Sequence, residues 1–157
     1  LEKKLNELIK LGYEVCINFT SSGFNSRKLN KEFLKFSKHH DIKVVNFADT
    51  ESVFTRKFVV ELIYDCGSEG VENYGLHLHD KKGMAKELMQ IGYELGCRRF
   101  DTTLLGFGGK WHDWNLNISD LLEYLNVKVD PIEFNDLKRD LVQQIIKYNE
   151  FDTTIIE

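Results

Sequence analysis

Four short apolar runs, Tyr13–Thr20, Ile42–Asp49, Tyr74–Asp80 and Arg99–Leu105, recur along this chain with a helical pattern between each and the next. The runs are rich in Val, Ile, Leu and Phe, as strands covered on both faces are. Leu29, Phe33 and Phe36 mark the first intervening helix, and Phe58, Leu62 and Ile63 the second. Met84, Leu88, Ile91 and Leu95 follow one face of the third, with Gly96 placed to end it. A helix between successive strands returns the chain to the same end of the sheet, so the alternation dictates parallel pairing. One proline and no Asn-Gly or Asp-Gly dipeptide argue against hairpins. The fold class is therefore α/β, either half of a (β/α)8 barrel or an open doubly wound sheet. In both, ligands bind at the carboxyl ends of the strands.

The flanks extend this pattern. Leu1 opens the chain inside an amphipathic helix, with Leu5, Leu8 and Ile9 on the same face, which is expected of the C-terminal portion of a longer protein. Beyond the last strand, Ile118, Leu121, Leu122 and Leu125 form a short stripe. Asp130-Pro-Ile-Glu133 then reads as a helix start, and Phe134, Leu137, Leu141, Val142 and Ile145 carry that helix. No linker or low-complexity tract interrupts residues 1–157, so a single domain is expected, and 42% hydrophobic content supplies one core. The net charge of −4 with scattered basic residues argues against a nucleic-acid surface. No apolar run approaches the roughly 20 residues that span a bilayer, and no signal peptide is evident. Cys16, Cys66 and Cys97 lack any metal-binding spacing and read as reduced, mostly buried thiols of a cytoplasmic protein.

Polar residues gather where the topology places chemistry. Asn18 and Thr20, Asn46 and Asp49, His77 and His79, and Asp101 and Thr103 lie at or near the ends of successive strands. Side chains two apart on a strand project from one side, so His77 and His79 converge on one point, which suits a divalent metal bound through nitrogen. Asn115 or Asp49 could add an oxygen ligand, as could a group outside this chain. Gly106-Phe-Gly-Gly109 is either an amide cradle for phosphate or a tight turn. Asp49-Thr50-Glu51 suits the turn that opens a helix. Lys110-Trp-His-Asp-Trp-Asn115 reads first as a lid packed on the barrel mouth, and alternatively as a substrate-contacting loop in which tryptophan excludes water from the metal.

These residues also carry a resemblance. Gly75-Leu-His-Leu-His-Asp80, Gly83, Asp101-Thr-Thr-Leu-Leu-Gly-Phe-Gly-Gly109 and Asn115-Leu116 resemble the C-terminal half of the HMG-CoA lyase-like, or DRE-TIM, metallolyases. That superfamily also includes 4-hydroxy-2-oxovalerate aldolase and the isopropylmalate and homocitrate synthases, and Ala48-Asp49-Thr50 resembles its Asp-Thr at an earlier strand end. The resemblance implies a (β/α)8 TIM barrel of which only the C-terminal four βα units are present. It implies a divalent metal, Mn2+ or Mg2+ with Zn2+ as an alternative, on His77, His79 and Asn115. Asp49 would be the catalytic residue, with Thr50, Asn18 and Thr103 on the substrate side. The implied activity is an aldolase or lyase that cleaves or forms a C–C bond in a small 2-oxo or 3-hydroxy acid through a metal-stabilised enolate. Alternatives are an acyl-CoA-dependent condensing transferase or a non-catalytic metabolite-binding barrel. Lys110 stands where the HMG-CoA lyases carry a catalytic cysteine, and the Trp-rich Lys110–Trp114 loop departs from the Gly-Glu pair of the condensing enzymes, which places the resemblance nearest the aldolase branch; Glu51-Ser52 replaces the family's usual glycine after Asp-Thr. The family's Arg-Asp-Gly-type motif is not in this chain. The fragment alone is therefore expected to be inactive, and the full-length protein to be a homo-oligomer.

Overall fold

The computed structural model of the chain describes residues 2–108 and 114–151, the last seven of these by backbone alone. It divides into two compact units, Leu1–Leu121 and Leu122–Glu157. In the first, α1 (Glu2–Lys10) precedes β1 (Cys16–Phe19), α2 (Arg27–His39), β2 (Val44–Ala48), α3 (Arg56–Ser68), β3 (Tyr74–His77), α4 (Ala85–Glu94) and β4 (Phe100–Asp101). The strands form one parallel sheet in the order β1-β2-β3-β4. That order separates the two expected arrangements. A doubly wound sheet reverses direction at a switch point and carries helices on both faces. Here every crossover steps the same way, and right-handed crossovers then place all the helices on one side. The bare face is the inner wall of a barrel.

Alternation along the strands fills the two faces differently. Val45 and Phe47 of β2, with Leu76 of β3 and Leu78 just beyond it, are essentially inaccessible to solvent. They pack toward Leu34, Val59, Leu62, Leu88 and Met89, which are equally buried on the covering helices. The opposite parity carries Asn18, Asn46, His77 and Asp101, all partly or fully exposed. α2 and α3 begin with side-chain caps: Ser26 Oγ accepts from Leu29 N and Thr55 Oγ1 from Phe58 N, each at 3.2 Å. The two helices are clamped by Arg27, which donates twice to buried Asp65 at 2.7 Å.

The elements differ from expectation at their edges. Each strand is shorter than its apolar run, most of all β4, because the chain turns into a 3-10 segment at Leu104–Gly106, where Leu105 adopts φ 62°. The stripe Leu29, Phe33, Phe36 is not the buried face of α2; Asn30, Leu34 and Ser37 are. Phe33 instead stacks on Phe19 at 3.8 Å, at the side of the sheet where β1 has no further strand beside it among the described residues. On α4 the buried face is Ala85, Leu88, Met89 and Gly92, displaced from the expected stripe, while Leu95 is exposed. Gly96 ends α4 as expected, with φ 103° and its amide on Tyr93 O.

α5 (Ile118–Tyr124) follows the 3-10 segment and spans the boundary between the units. The second unit continues through α6 (Pro131–Phe151), whose start matches expectation: Asp130 Oδ1 accepts from Ile132 N at 2.8 Å and Glu133 N at 3.1 Å. No helix among the described residues is long and apolar enough to cross a membrane.

Candidate metal centre

His77 is the last residue of β3, and His79 follows it in an antiparallel bridge with Asn115. Leu76 and Leu78, buried beneath the helices, commit the alternate positions to the inner face. The two imidazoles meet there, with His77 Nε2 3.2 Å from His79 Nε2 and the ring planes inclined by 54°. On the far side of the His77 ring, Nδ1 lies 3.0 Å from Asp101 Oδ2. Register explains that contact, because His77 and Asp101 are partners across β3 and β4.

Asn115 is held against His79 by its own backbone, its amide donating to Gly106 O at 2.8 Å. It is 8% exposed, and its Oδ1 is buried with no hydrogen-bond partner among the described residues. The glycine turn wraps this side chain. A Cβ on Gly108, whose φ is 130°, would clash with Asn115 Nδ2. Close approach to Asn115 is thus the use the structure shows for Gly108; Gly109 and the expected lid residues Lys110–Asp113 lie outside the described residues. Thr103 Oγ1 is likewise buried without a partner among the described residues, beside the backbone bridge of Thr103 to Asn117.

These donors fit a divalent ion as part of a ligand set. Two imidazole nitrogens 3.2 Å apart span the edge between neighbouring ligands that each sit about 2.1 Å from one ion. Asn115, bridged to His79 through the backbone, carries an unpartnered amide oxygen among the described residues, a hard donor. Among the described residues no three His, Cys, Asp or Glu side chains form a metal cluster. Further ligands would have to come from water, from substrate or from other chain segments.

The other expected site residues lie on β1 and in the loop that follows β2. Asn18 Oδ1 accepts from Asn46 Nδ2 at 3.2 Å on the inner face. Thr50 Oγ1 accepts from Ser21 N at 3.2 Å, tying the loop after β2 to the loop after β1. Asp49 has the parity of Val45 and Phe47 and is 2% exposed. Its Oδ1 accepts from Val53 N at 2.6 Å and Phe54 N at 2.9 Å, ordering the loop that leads into α3. Burial pushes the Asp49 carboxyl up, opposed by those two amides and by Lys82. The structure therefore brings His77, His79, Asn115 and Asp101 together, and engages Asp49 in the neighbouring loop instead. Cys66 and Cys97 are buried and burial raises both thiols, whereas Cys16 is exposed.

No family model and no curated protein matches the chain. Solved structures do. An HMG-CoA lyase from Acinetobacter baumannii, in complex with coenzyme A and 3-methylmalate, superposes with a TM-score of 0.74 at 20% identity, covering 88% of this chain and 50% of that one. The N-terminal domain of a putative aldolase from Bacteroides vulgatus gives 0.74 at 20% identity, covering 92% of this chain and 49% of that one. The carboxyl transferase domain of Rhizobium etli pyruvate carboxylase, with pyruvate, gives 0.66 at 16% identity over 85% and 24%. The fold is that of half an HMG-CoA lyase-like barrel. The half-barrel spans about half the length of the first structures it matches.

Asp101 is the residue of this half-barrel whose part in the centre was not assigned from sequence. It was visible only as a polar strand end. The register opposite His77 is a property of the assembled sheet.

Proposed function

We propose that the protein carrying this half-barrel is a divalent-metal-dependent carbon–carbon lyase of the aldolase type, acting on a small 2-oxo or 3-hydroxy acid. The observation that carries the reading is the convergence of His77 Nε2 and His79 Nε2 at 3.2 Å, on the inner face at the carboxyl end of β3. His77 and His79 would hold Mn2+ or Mg2+, or alternatively Zn2+, with Asn115 Oδ1 as a third donor. An ion so held supplies Lewis-acid stabilisation for negative charge developing on a substrate oxygen as the C–C bond breaks.

The remaining residues bind and orient. Asn18 and Asn46 offer amide groups on the inner face, one layer below His77. Thr103 lies just beyond β4 at the same end, and we assign it to the substrate side; its Oγ1 is buried and unpartnered among the described residues. Thr50 and Asp49 shape the loops at the same end, and we assign Asp49 to that ordering, with a carboxyl that holds its proton more readily than usual. The fold is shared with HMG-CoA lyases, a putative aldolase and a transferase domain solved with pyruvate, which supports a lyase or transferase reading.

The test is turnover of 4-hydroxy-2-oxo acids and 3-hydroxyacyl thioesters by the full-length protein with Mn2+ or Mg2+, read as release of the oxo-acid product. His77→Ala and His79→Ala are each expected to lower kcat/KM by about 100-fold or more, the scale on which loss of charge stabilisation is felt. Absence of both cleavage and condensation with either metal would sink the reading. Turnover that requires acyl-CoA would move the assignment to the condensing transferases.

A further inference from the structure

We infer that Asp101 is a positioning residue that sets the tautomer of His77, so that Nε2 presents a lone pair toward His79. The metal part of this inference rests on the function proposed above; the tautomer part does not.

Packing aims Asp101. β4 has two residues, and Phe100 lies on the helix side, where a Cβ on Gly92 of α4 would come within 3.3 Å of its ring and 2.9 Å of Leu76. With Phe100 turned under α4, alternation sends Asp101 to the inner face, opposite His77. Its Oδ2 lies 3.0 Å from His77 Nδ1. A carboxylate can only accept, so Nδ1 carries the proton of the neutral ring, and Nε2 is left as an acceptor. It is this Nε2 that stands 3.2 Å from His79 Nε2. An unconstrained imidazole in water favours the other tautomer, with Nε2 protonated and closed to a metal. Asp101 reverses that preference, as the outer carboxylate of a carboxylate–histidine–metal relay does.

The pair is poorly placed to serve the fold. In this half-barrel the Asp101 side chain is 46% exposed and that of His77 31%, and neither belongs to the apolar core beneath the helices. A purely structural bond would be expected deeper in the sheet, and its loss would move stability rather than ring chemistry.

The test uses the purified protein labelled with 15N at histidine, metal-free, at a pH where both rings are neutral. The ring nitrogen shifts of His77 should show a protonated Nδ1 and an unprotonated Nε2. Asp101→Asn keeps the size but can donate as well as accept, so it should give a mixture of tautomers. Asp101→Glu, which restores an acceptor-only group, should recover the Nδ1–H form. In parallel, Co2+ affinity read from its visible absorption should fall about 10- to 100-fold in Asp101→Asn, the range typical of losing an outer-shell partner. Unchanged His77 ring shifts in Asp101→Asn, confirmed with Asp101→Ala, would overturn the inference. If wild-type protein takes up no Co2+ while the tautomer still follows residue 101, the proposed function fails and the assignment of Asp101 stands.

Discussion

Asp49 Oδ1 accepts two loop amides from a position 2% exposed to solvent, and burial raises its carboxyl above the ordinary value of 3.8. The fold therefore binds this proton more tightly than the unfolded chain does. That contribution is complete below 3.8 and is lost as pH rises through the raised folded value. An asparagine retains the accepting oxygen without the buried charge. Asp49→Asn is expected to equal or exceed the wild type in stability at neutral pH, with its advantage shrinking as the pH falls toward 3.8. Asp49→Ala leaves the Val53 and Phe54 amides unsatisfied and should cost about 1–3 kcal/mol. Urea denaturation of the three proteins across that pH range checks both statements, and a pH-independent difference would contradict the raised carboxyl. Gly108 makes a second residue-scale prediction. A methyl there meets Asn115 Nδ2 and forces a non-glycine residue to φ 130°. Gly108→Ala should weaken Co2+ binding about 10-fold or more, as loss of a supporting contact does, while far-UV circular dichroism stays unchanged.

Between elements, the clamp of α2 on α3 offers a sharper prediction than the surface pairs around it. Arg27 donates to both oxygens of Asp65, whose side chain is 3% exposed, and Lys31 approaches the same carboxylate at 3.8 Å. Removing Arg27 leaves a desolvated carboxylate short of its bidentate partner. Lys28 and Glu32, 3.9 Å apart, are both well exposed and screened by water. Arg27→Ala should therefore lower Tm clearly more than Lys28→Ala, and a double-mutant cycle should couple Arg27 to Asp65. Equal shifts for the two single variants would count against the clamp. At this scale the sequence was partly legible. Gly96 and Asp130 act where local chemistry predicts, because caps depend on a few neighbouring residues. Leu29, Phe33 and Phe36 did not take the buried face, because which side of α2 meets the sheet depends on where β1 and β2 lie.

For the half-barrel as a whole, the open side of β1 is the main liability. Among the described residues β1 pairs only with β2, and Phe24 and Leu29 nearby are 64% and 46% exposed. An unpaired parallel edge flanked by apolar side chains is a template for another chain. The 157-residue chain expressed alone should self-associate, and Phe24→Lys with Leu29→Lys should reduce it, as light scattering on a size-exclusion column would show. A monodisperse wild-type monomer would contradict this.

Local periodicity alone determined that this is a parallel α/β chain, that His77 and His79 share a face, and that polar residues gather at strand ends. Each of these follows from alternation along one strand or from helix spacing, which a sequence carries directly. Only the tertiary structure decided that the strands lie in the order β1-β2-β3-β4 and that Asp101 backs His77. The physical reason is that each depends on register and packing between segments far apart in the chain. Their geometry is set by the shared core beneath the helices and not by any pattern within one segment.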